Sequence, residues 1–395
     1  MTVLDLFAGA GGASEGLAAL GLEHVGVELD PVAAGTAVAA RHRRVVDDVA
    51  RLNPRDFPDV TGLWASPPCT TFSSAGSGAG RRVMDVLADG IIRTVAGERV
   101  MDRVRQECAR ALEAHALTDP KLAKLTPVER SEWAARQATV SALVVEVARY
   151  ARDLRPEWVA CEQVPGVLPL WRVLARALRG AGYRAWCGVL CAANYGVPQA
   201  RHRAILVASR IPAHRVGPPE PTHAEHPGDG DLFGPPLPGW VSMATALGLD
   251  WPDRAAWPVS AGGTDAGGAE VFADRRTWSM RNGSQSRATE RGVDEPAGTV
   301  YSSRSTNLRW TVTRPATTAS ETVRVSVAEA ACLQSFRVDF PWRGTRTTRY
   351  RQVGNAVPPP LAAAVVGHLL GVDWPPIVAA YLARSARAPD REAAS

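Results

Sequence analysis

Residues 2–12 read TVLDLFAGAGG, and they decide the fold. A short apolar run ends in three glycines (Gly9, Gly11 and Gly12) and passes into the helix-like ASEGLAALG (13–21), which Gly21 stops. Glycine lets a backbone take positive φ and approach a ligand closely. The helix start beyond it favours negative charge. The next strand, in HVGVELD (24–30), ends in Glu28, a carboxylate placed to accept hydrogen bonds from ribose hydroxyls. The third glycine of the dinucleotide fingerprint is missing, because Ser14 stands there. The loop and the acid therefore predict a nucleoside-containing cofactor and leave NAD and S-adenosylmethionine both open.

The rhythm continues outward. PVAAGTAVAARH (31–42) opens a helix on proline, and VVDDV (45–49) and TGLWAS (61–66) read as strands. EWVACEQV (157–164) and AWCGVLC (185–191) flank the helix-like PLWRVLARALRGAGY (169–183), and RAILVAS (203–209) closes the series. Strands alternating with helices predict an α/β fold with a doubly wound, mainly parallel sheet. Residues 82–150 interrupt it with Ala-, Arg- and Glu-rich sequence that reads as a helical insertion. Residues 212–320, loaded with Pro, Gly, Ser, Thr and Trp, predict a smaller, irregular β-rich domain. Residues 321–375 return to helix and to the first domain (1–211), and 376–395 form a tail.

Composition bounds the partners. The chain has 395 residues, 46% of them hydrophobic, which supports a sizeable core. Its formal net charge of +5 suits an acidic partner such as nucleic acid. Only Lys121 and Lys124 are lysines, so raw arginine counts carry little weight and their clustering carries more. Between 275 and 314, eight arginines face three acids. Six scattered cysteines predict reduced thiols rather than a disulfide frame, and hence a cytoplasmic setting. Cys187 and Cys191 lack a second pair for zinc, so no metal is expected. No apolar run of 18 residues and no basic leader are seen, which predicts neither a membrane span nor a secretory signal.

Four stretches carry further chemistry. WASPPCTTFSSAG (64–76) sets Cys69 at the end of a strand, behind Pro67 and Pro68, which stiffen its approach. That edge of an open α/β sheet is where ligands bind. On its own, Cys69 reads equally well as a small buried apolar residue. The Ser/Gly tail SSAGSGAGRR (73–82) reads as a flexible loop. Glu162 ends the next strand at the same edge, where a carboxyl can donate a proton or a strong hydrogen bond. In YGVPQARHRAILV (195–207), alternation puts Gln199, Arg201 and Arg203 on one face. RQVGNAVPPPLAAAV (351–365) sets Gly354 and Asn355 before a helix, as a second wall for a pocket.

In this order the stretches resemble the cytosine-5 DNA methyltransferase family, from residue 3 to about 366. The most specific matches are PPC, QARHR and GNAV. The resemblance implies a Rossmann-like methyltransferase sheet and a target-recognition domain at 212–320. It implies S-adenosylmethionine as cofactor and double-stranded DNA as substrate. By position, Cys69 is the nucleophile, Glu162 contacts the ring nitrogen beside the amino group, and Arg201 and Arg203 hold the base and the cysteine loop. Phe7, Gly9, Gly11, Glu28, Leu29, Asp48, Val49, Pro68, Asn355 and Val357 line the cofactor pocket. Arg281, Arg287, Arg304 and Arg309 join Arg81 and Arg82 on DNA. A monomer with a cognate restriction endonuclease is the expected setting. The family's usual amide after the cysteine is Thr70 here, its Asn after the acid is Gln163, and its Asp before YGVPQ is Asn194. The gap from Cys69 to Glu162 is also longer than usual.

Overall fold

The computed structural model describes residues 1–73, 76–228, 236–248, 278–282, 289–300, 308–313 and 320–385. From the N-terminus run β1 (Thr2–Leu6), α1 (Gly12–Ala19), β2 (Glu23–Glu28), α2 (Pro31–Ala39), β3 (Arg43–Val46) and β4 (Val60–Ala65). Helices α3 (Ala79–Arg82), α4 (Met84–Val95), α5 (Met101–Thr118) and α6 (Pro127–Leu154) follow. Next come β5 (Trp158–Gln163), α7 (Leu168–Gly180), β6 (Arg184–Cys191) and β7 (His202–Ser209). After α8 (Met243–Leu247) lie β8 (Trp278–Asn282), β9 (Thr289–Gly292), β10 (Leu308–Thr313) and β11 (Ser320–Arg324). The last helices are α9 (Val327–Leu333), α10 (Arg346–Asn355), α11 (Pro359–Leu370) and α12 (Trp374–Ser385).

The main sheet has the order β3-β2-β1-β4-β5-β7-β6. Its first five strands are parallel, and β7 lies antiparallel between β5 and β6. The chain winds one way from β1 to β3 and the other way from β4, so the strand order reverses between β1 and β4. That reversal is the switch point at which doubly wound sheets open a crevice.

Side chains alternate strictly between two cores. Leu4, Leu6, Leu63, Ala65, Val159, Cys161 and Leu206 pack with α4 to α7. Val3, Trp64, Trp158, Ala160, Ile205 and Val207 pack with α1, α11 and α12. Both faces of these strands are covered, which is why they read as continuous apolar runs. Helix α6 starts on a capping box: Thr126 accepts from the Glu129 backbone, and the Glu129 side chain accepts from the Thr126 backbone.

Within 212–320, β8 to β10 join β11 in a four-stranded antiparallel sheet of order β11-β10-β8-β9, whose last strand runs past residue 320. One face of it is buried through Met280 and Trp310 against α8, α9 and the C-terminal segment. Among the described residues, one helical stretch, 346–370, is long and apolar enough to cross a membrane, although no such run was expected. Its hydropathy comes from the alanines, valines and leucines of α11, which are buried in the core against α1.

Candidate active site

A cavity of about 360 Å³ opens at the switch point, over the C-terminal ends of β1, β2, β4 and β5. Phe7, Gly9, Glu28, Leu29, Asp48, Val49, Pro68, Asn355 and Val357 all line it, and so do Cys69, Glu162, Arg201 and Arg203. The cofactor stretch and the cysteine stretch therefore face one space.

The loop after β1 turns through three successive odd positions in the left-handed region: Phe7 (φ 60°), Gly9 (φ 54°) and Gly11 (φ 108°). For Phe7 that geometry costs about 1–3 kcal/mol, a strain that persists only where surrounding structure imposes it. Gly9 borders open space on the cavity side, with no atom within 4 Å of where a Cβ would sit. Gly11 does not line the cavity. A Cβ there would meet the His42 ring at 2.9 Å, so its flank faces the polar layer behind the loop. Gly12 lines the cavity instead, and a Cβ on it would lie 2.2 Å from the Val357 carbonyl oxygen. The loop is thus clasped by the chain's C-terminal segment.

Glu28 is oriented by its own backbone surroundings. Gly9 N donates to Oε2 at 2.8 Å, and Asp30 N donates to Oε1 at 2.7 Å. Each carboxylate oxygen keeps a second lone pair for a ligand hydroxyl. Asp5, unremarked in the sequence, also lines the cavity and is fully buried. Ser14 Oγ donates to its Oδ2 at 2.9 Å, while Oδ1 has no hydrogen-bond partner. Burial pushes the Asp5 carboxyl up from its ordinary 3.8 to about 6, against the pull of Arg44 and the Ser14 hydroxyl.

Cys69 is half-buried at the cavity's other end. Burial pushes its thiol above the ordinary 9.0, Glu162 adds to that, and Arg203 and Arg201 oppose it. Glu162 and Arg203 form a buried ion pair, with Arg203 Nε donating to Glu162 Oε1 at 2.8 Å. Gln163 points the other way along β5. Its Nε2 donates to the Pro67 carbonyl at 2.7 Å, and its Oε1 accepts from Val164 N.

Arg201 lines the cavity and also holds backbone around it. Its guanidinium donates to the carbonyls of Gly354 (3.1 Å), Ala356 (3.0 Å) and Val300 (3.4 Å), so it ties the start of β7 to the Asn355 turn. Gln199, also fully buried, spans Leu333 O and Val300 N. Gln199, Arg201 and Arg203 are all buried.

Ser77 N donates to Thr70 O, Gly80 N donates to Thr71 O, and Phe72 is buried beneath them. Arg81 and Arg82 are both exposed, and Arg81 Nη1 donates to the Phe72 carbonyl at 2.6 Å. In the small sheet, Arg281 stands directly opposite Arg309, and Arg309 stands opposite Arg324. Arg324 escaped sequence analysis because it lies beyond the arginine-rich window. Arg287 and Arg304 lie outside the described residues. Among the described residues, no cluster of His, Cys, Asp or Glu could hold a metal ion.

A doubly wound sheet with a glycine loop at its switch point and a thiol on the neighbouring strand defines a class of α/β enzymes that act on a bound substrate with a second group beside it. Comparison with known proteins narrows the class. The profile of the C-5 cytosine-specific DNA methylases matches residues 1–93 and 134–370, and the chain belongs to that family. It is a DNA (cytosine-5)-methyltransferase. It is 25% identical over 392 residues to the type II methyltransferase M1.HphI of Haemophilus parahaemolyticus, covering 94% of this chain and 87% of that protein. It is 28% identical over 388 residues to M.NaeI of Lentzea aerocolonigenes, covering 92% and 73%. Among solved structures, the Entamoeba histolytica methyltransferase EhMeth shares the fold, with a TM-score of 0.56 at 11% identity over 94% of this chain and 98% of that one.

Proposed function

We propose that the cavity at the switch point binds S-adenosylmethionine beside a cytosine flipped from duplex DNA, and that Cys69 is the nucleophile. The observation that carries this is the single cavity lined by both Glu28 with the glycine loop and Cys69 with Glu162 and Arg203. Its volume suits a nucleoside-sized ligand. The open flank of Gly9, the unpartnered Asp5 Oδ1 and the spare lone pairs of Glu28 fit a ligand with hydroxyls and an amino group.

Carbon 5 of cytosine is a weak nucleophile. The Cys69 thiolate adds to carbon 6, forming an S–C bond and pushing the ring's electron pair toward carbon 5. Glu162 donates a proton or hydrogen bond at the ring nitrogen, so the charge created by addition has somewhere to go. Arg203 orients Glu162 through their 2.8 Å contact while its Nη1 donates to the His202 carbonyl at 2.7 Å, and its Nη2 is the group assigned to the base oxygen. When bound, S-adenosylmethionine supplies the methyl group as an electrophilic sulfonium carbon. Loss of the carbon 5 proton to a base returns the electron pair, breaks the S–C6 bond and restores the thiolate. The ring atoms are out of reach in a stacked duplex, so the base must leave the helix.

The row Arg324–Arg309–Arg281 supports phosphate contact by the small sheet. Glu290 on β9 stands opposite Arg281 and closes the row, which keeps a net positive charge that suits a phosphate. The relatives named above are type II methyltransferases, which supports a companion restriction endonuclease of the same recognition sequence. We take the acting species to be a monomer.

The test is to incubate the protein with S-adenosylmethionine and duplex DNA in which 5-fluorocytosine replaces cytosine throughout. Fluorine cannot leave as a proton does, so elimination stalls. A covalent adduct mapped to the Cys69 peptide, absent from Cys69→Ser, is expected. Absence of any adduct on DNA that the protein otherwise methylates would overturn the assignment of Cys69.

A further inference from the structure

The long helix α6 both borders the cavity and grips one of its walls. Leu143 lines the cavity directly. Two turns further on, Arg149 Nη2 donates to the Val49 carbonyl at 2.7 Å, and its Nη1 donates to the Leu52 carbonyl at 3.0 Å. Tyr150 OH donates to the same Val49 carbonyl at 3.0 Å. Both lone pairs of Val49 O are thereby used, and the backbone carrying Asp48 and Val49 into the cavity hangs from three donors on one helix.

Arg149 is itself held. Its Nε donates to Glu146 Oε2 at 2.5 Å, and Glu146 is almost wholly buried. The other Glu146 oxygen accepts from Arg105 Nη2 at 3.3 Å. Arg105 belongs to α5, inside the 94–133 segment over which the family profile has no match. A line of contacts therefore runs from a helix foreign to the family profile, through a buried carboxylate, to the wall of the cavity.

We propose that Arg149 is a positioning residue for the cofactor, that Glu146 and Arg105 fix its fork, and that helix α5 thereby tunes cofactor affinity without touching the cofactor. The proposal rests on the reading that the cavity holds S-adenosylmethionine. A planar guanidinium suits the task, because it meets two carbonyls and a carboxylate at once, whereas an ammonium is a point donor. Losing the fork takes the donor from the Leu52 carbonyl, leaves the Val49 carbonyl with Tyr150 alone, and lets the Asp48–Val49 segment drift, a loss felt in binding and not in the reaction at Cys69.

The experiment compares wild type with Arg149→Met, Arg149→Lys, Glu146→Gln and Arg105→Ala. Titration calorimetry gives the S-adenosylmethionine Kd. Steady-state methylation gives kcat at saturating cofactor and KM for DNA. Arg149→Met is expected to raise the cofactor Kd about tenfold, Arg149→Lys to recover part of that loss, and Arg105→Ala to raise it about threefold, with kcat and the DNA KM within about twofold of wild type. An unchanged cofactor Kd in folded Arg149→Met, or a fall in kcat without a change in Kd, overturns the proposal. If Arg149→Met does not fold, Glu146→Gln and Arg105→Ala decide by the same split. Wild type that methylates DNA yet shows no S-adenosylmethionine binding overturns the cofactor reading instead, so the two failures are distinct.

Discussion

Gln163 Nε2 donates to the Pro67 carbonyl at 2.7 Å, joining the end of β5 to the loop that carries Cys69. The residue that presents the cysteine's approach and the neighbour of Glu162 are thus one mechanical unit. The longer amide reaches a carbonyl across the strand ends while its oxygen accepts from Val164 N. Gln163→Met keeps the length and removes the donor, leaving a buried carbonyl unsatisfied. The expected cost is about 1–3 kcal/mol in stability, with single-turnover methylation slowed about tenfold or more. Urea unfolding and rapid-quench methylation read the two effects separately; an unchanged turnover would show that the cysteine loop is held by other contacts.

The Cys69 thiol is expected to resist alkylation at neutral pH in the absence of DNA. Burial first, and Glu162 second, push it above 9.0, while Arg203 and Arg201 pull it back. Glu162→Gln removes a charge that raises the thiol, so alkylation should begin at lower pH. Arg203→Met removes a charge that lowers it, so alkylation should begin at higher pH. Iodoacetamide rates at the Cys69 peptide, followed by mass spectrometry from pH 7 to 10, give the order of the three profiles.

Asp5 makes a signed prediction for stability. Its folded pKa of about 6 exceeds the ordinary 3.8, so the native state holds a proton that the unfolded chain releases between those values. The native state then binds more protons, and stability from this group falls as pH rises from about 4 to 6, by roughly 3 kcal/mol at most. Asp5→Asn still accepts from Ser14 and cannot ionise. Urea unfolding at pH 4, 5, 6 and 7 should show wild type losing ground to Asp5→Asn with rising pH; parallel curves would argue that Asp5 titrates normally.

Arg324→Ala is expected to weaken binding to cognate and unrelated duplexes alike. The slope of log K against log salt should fall by about 1 for each phosphate that the arginine no longer neutralises. A fluorescence-anisotropy salt series decides. Weakening confined to the cognate sequence would mean base reading rather than backbone contact.

Much of this arrangement is visible in the bare chain, for a physical reason. Strands covered on both faces need an apolar residue at every position, so β1, β4, β5 and β7 announce themselves, and Cys69 and Glu162 stand out where those runs stop. What stays hidden depends on partners far along the chain. Nothing local says that β7 slips in antiparallel between β5 and β6. Gly11 and Gly12 look alike until His42 and the Val357 carbonyl show which of them faces the cavity. Nothing near Arg201 in the chain says that it also donates to carbonyls more than 150 residues away. Asp5 passes for a polar interruption in an apolar strand because its burial is a property of the finished sheet.

The closure of Gly12 against Val357 has a consequence in time. A ribosome working at about 5–20 residues per second needs on the order of 20 to 70 seconds to travel from one residue to the other. Throughout the later part of that interval the growing chain already displays Cys69, Glu162 and Arg203, yet the glycine loop has nothing to close against. The enclosed cavity therefore forms only once Val357 and α11 have been made and docked. A chain interrupted before Val357 carries Cys69 without the enclosure that the finished fold builds around it.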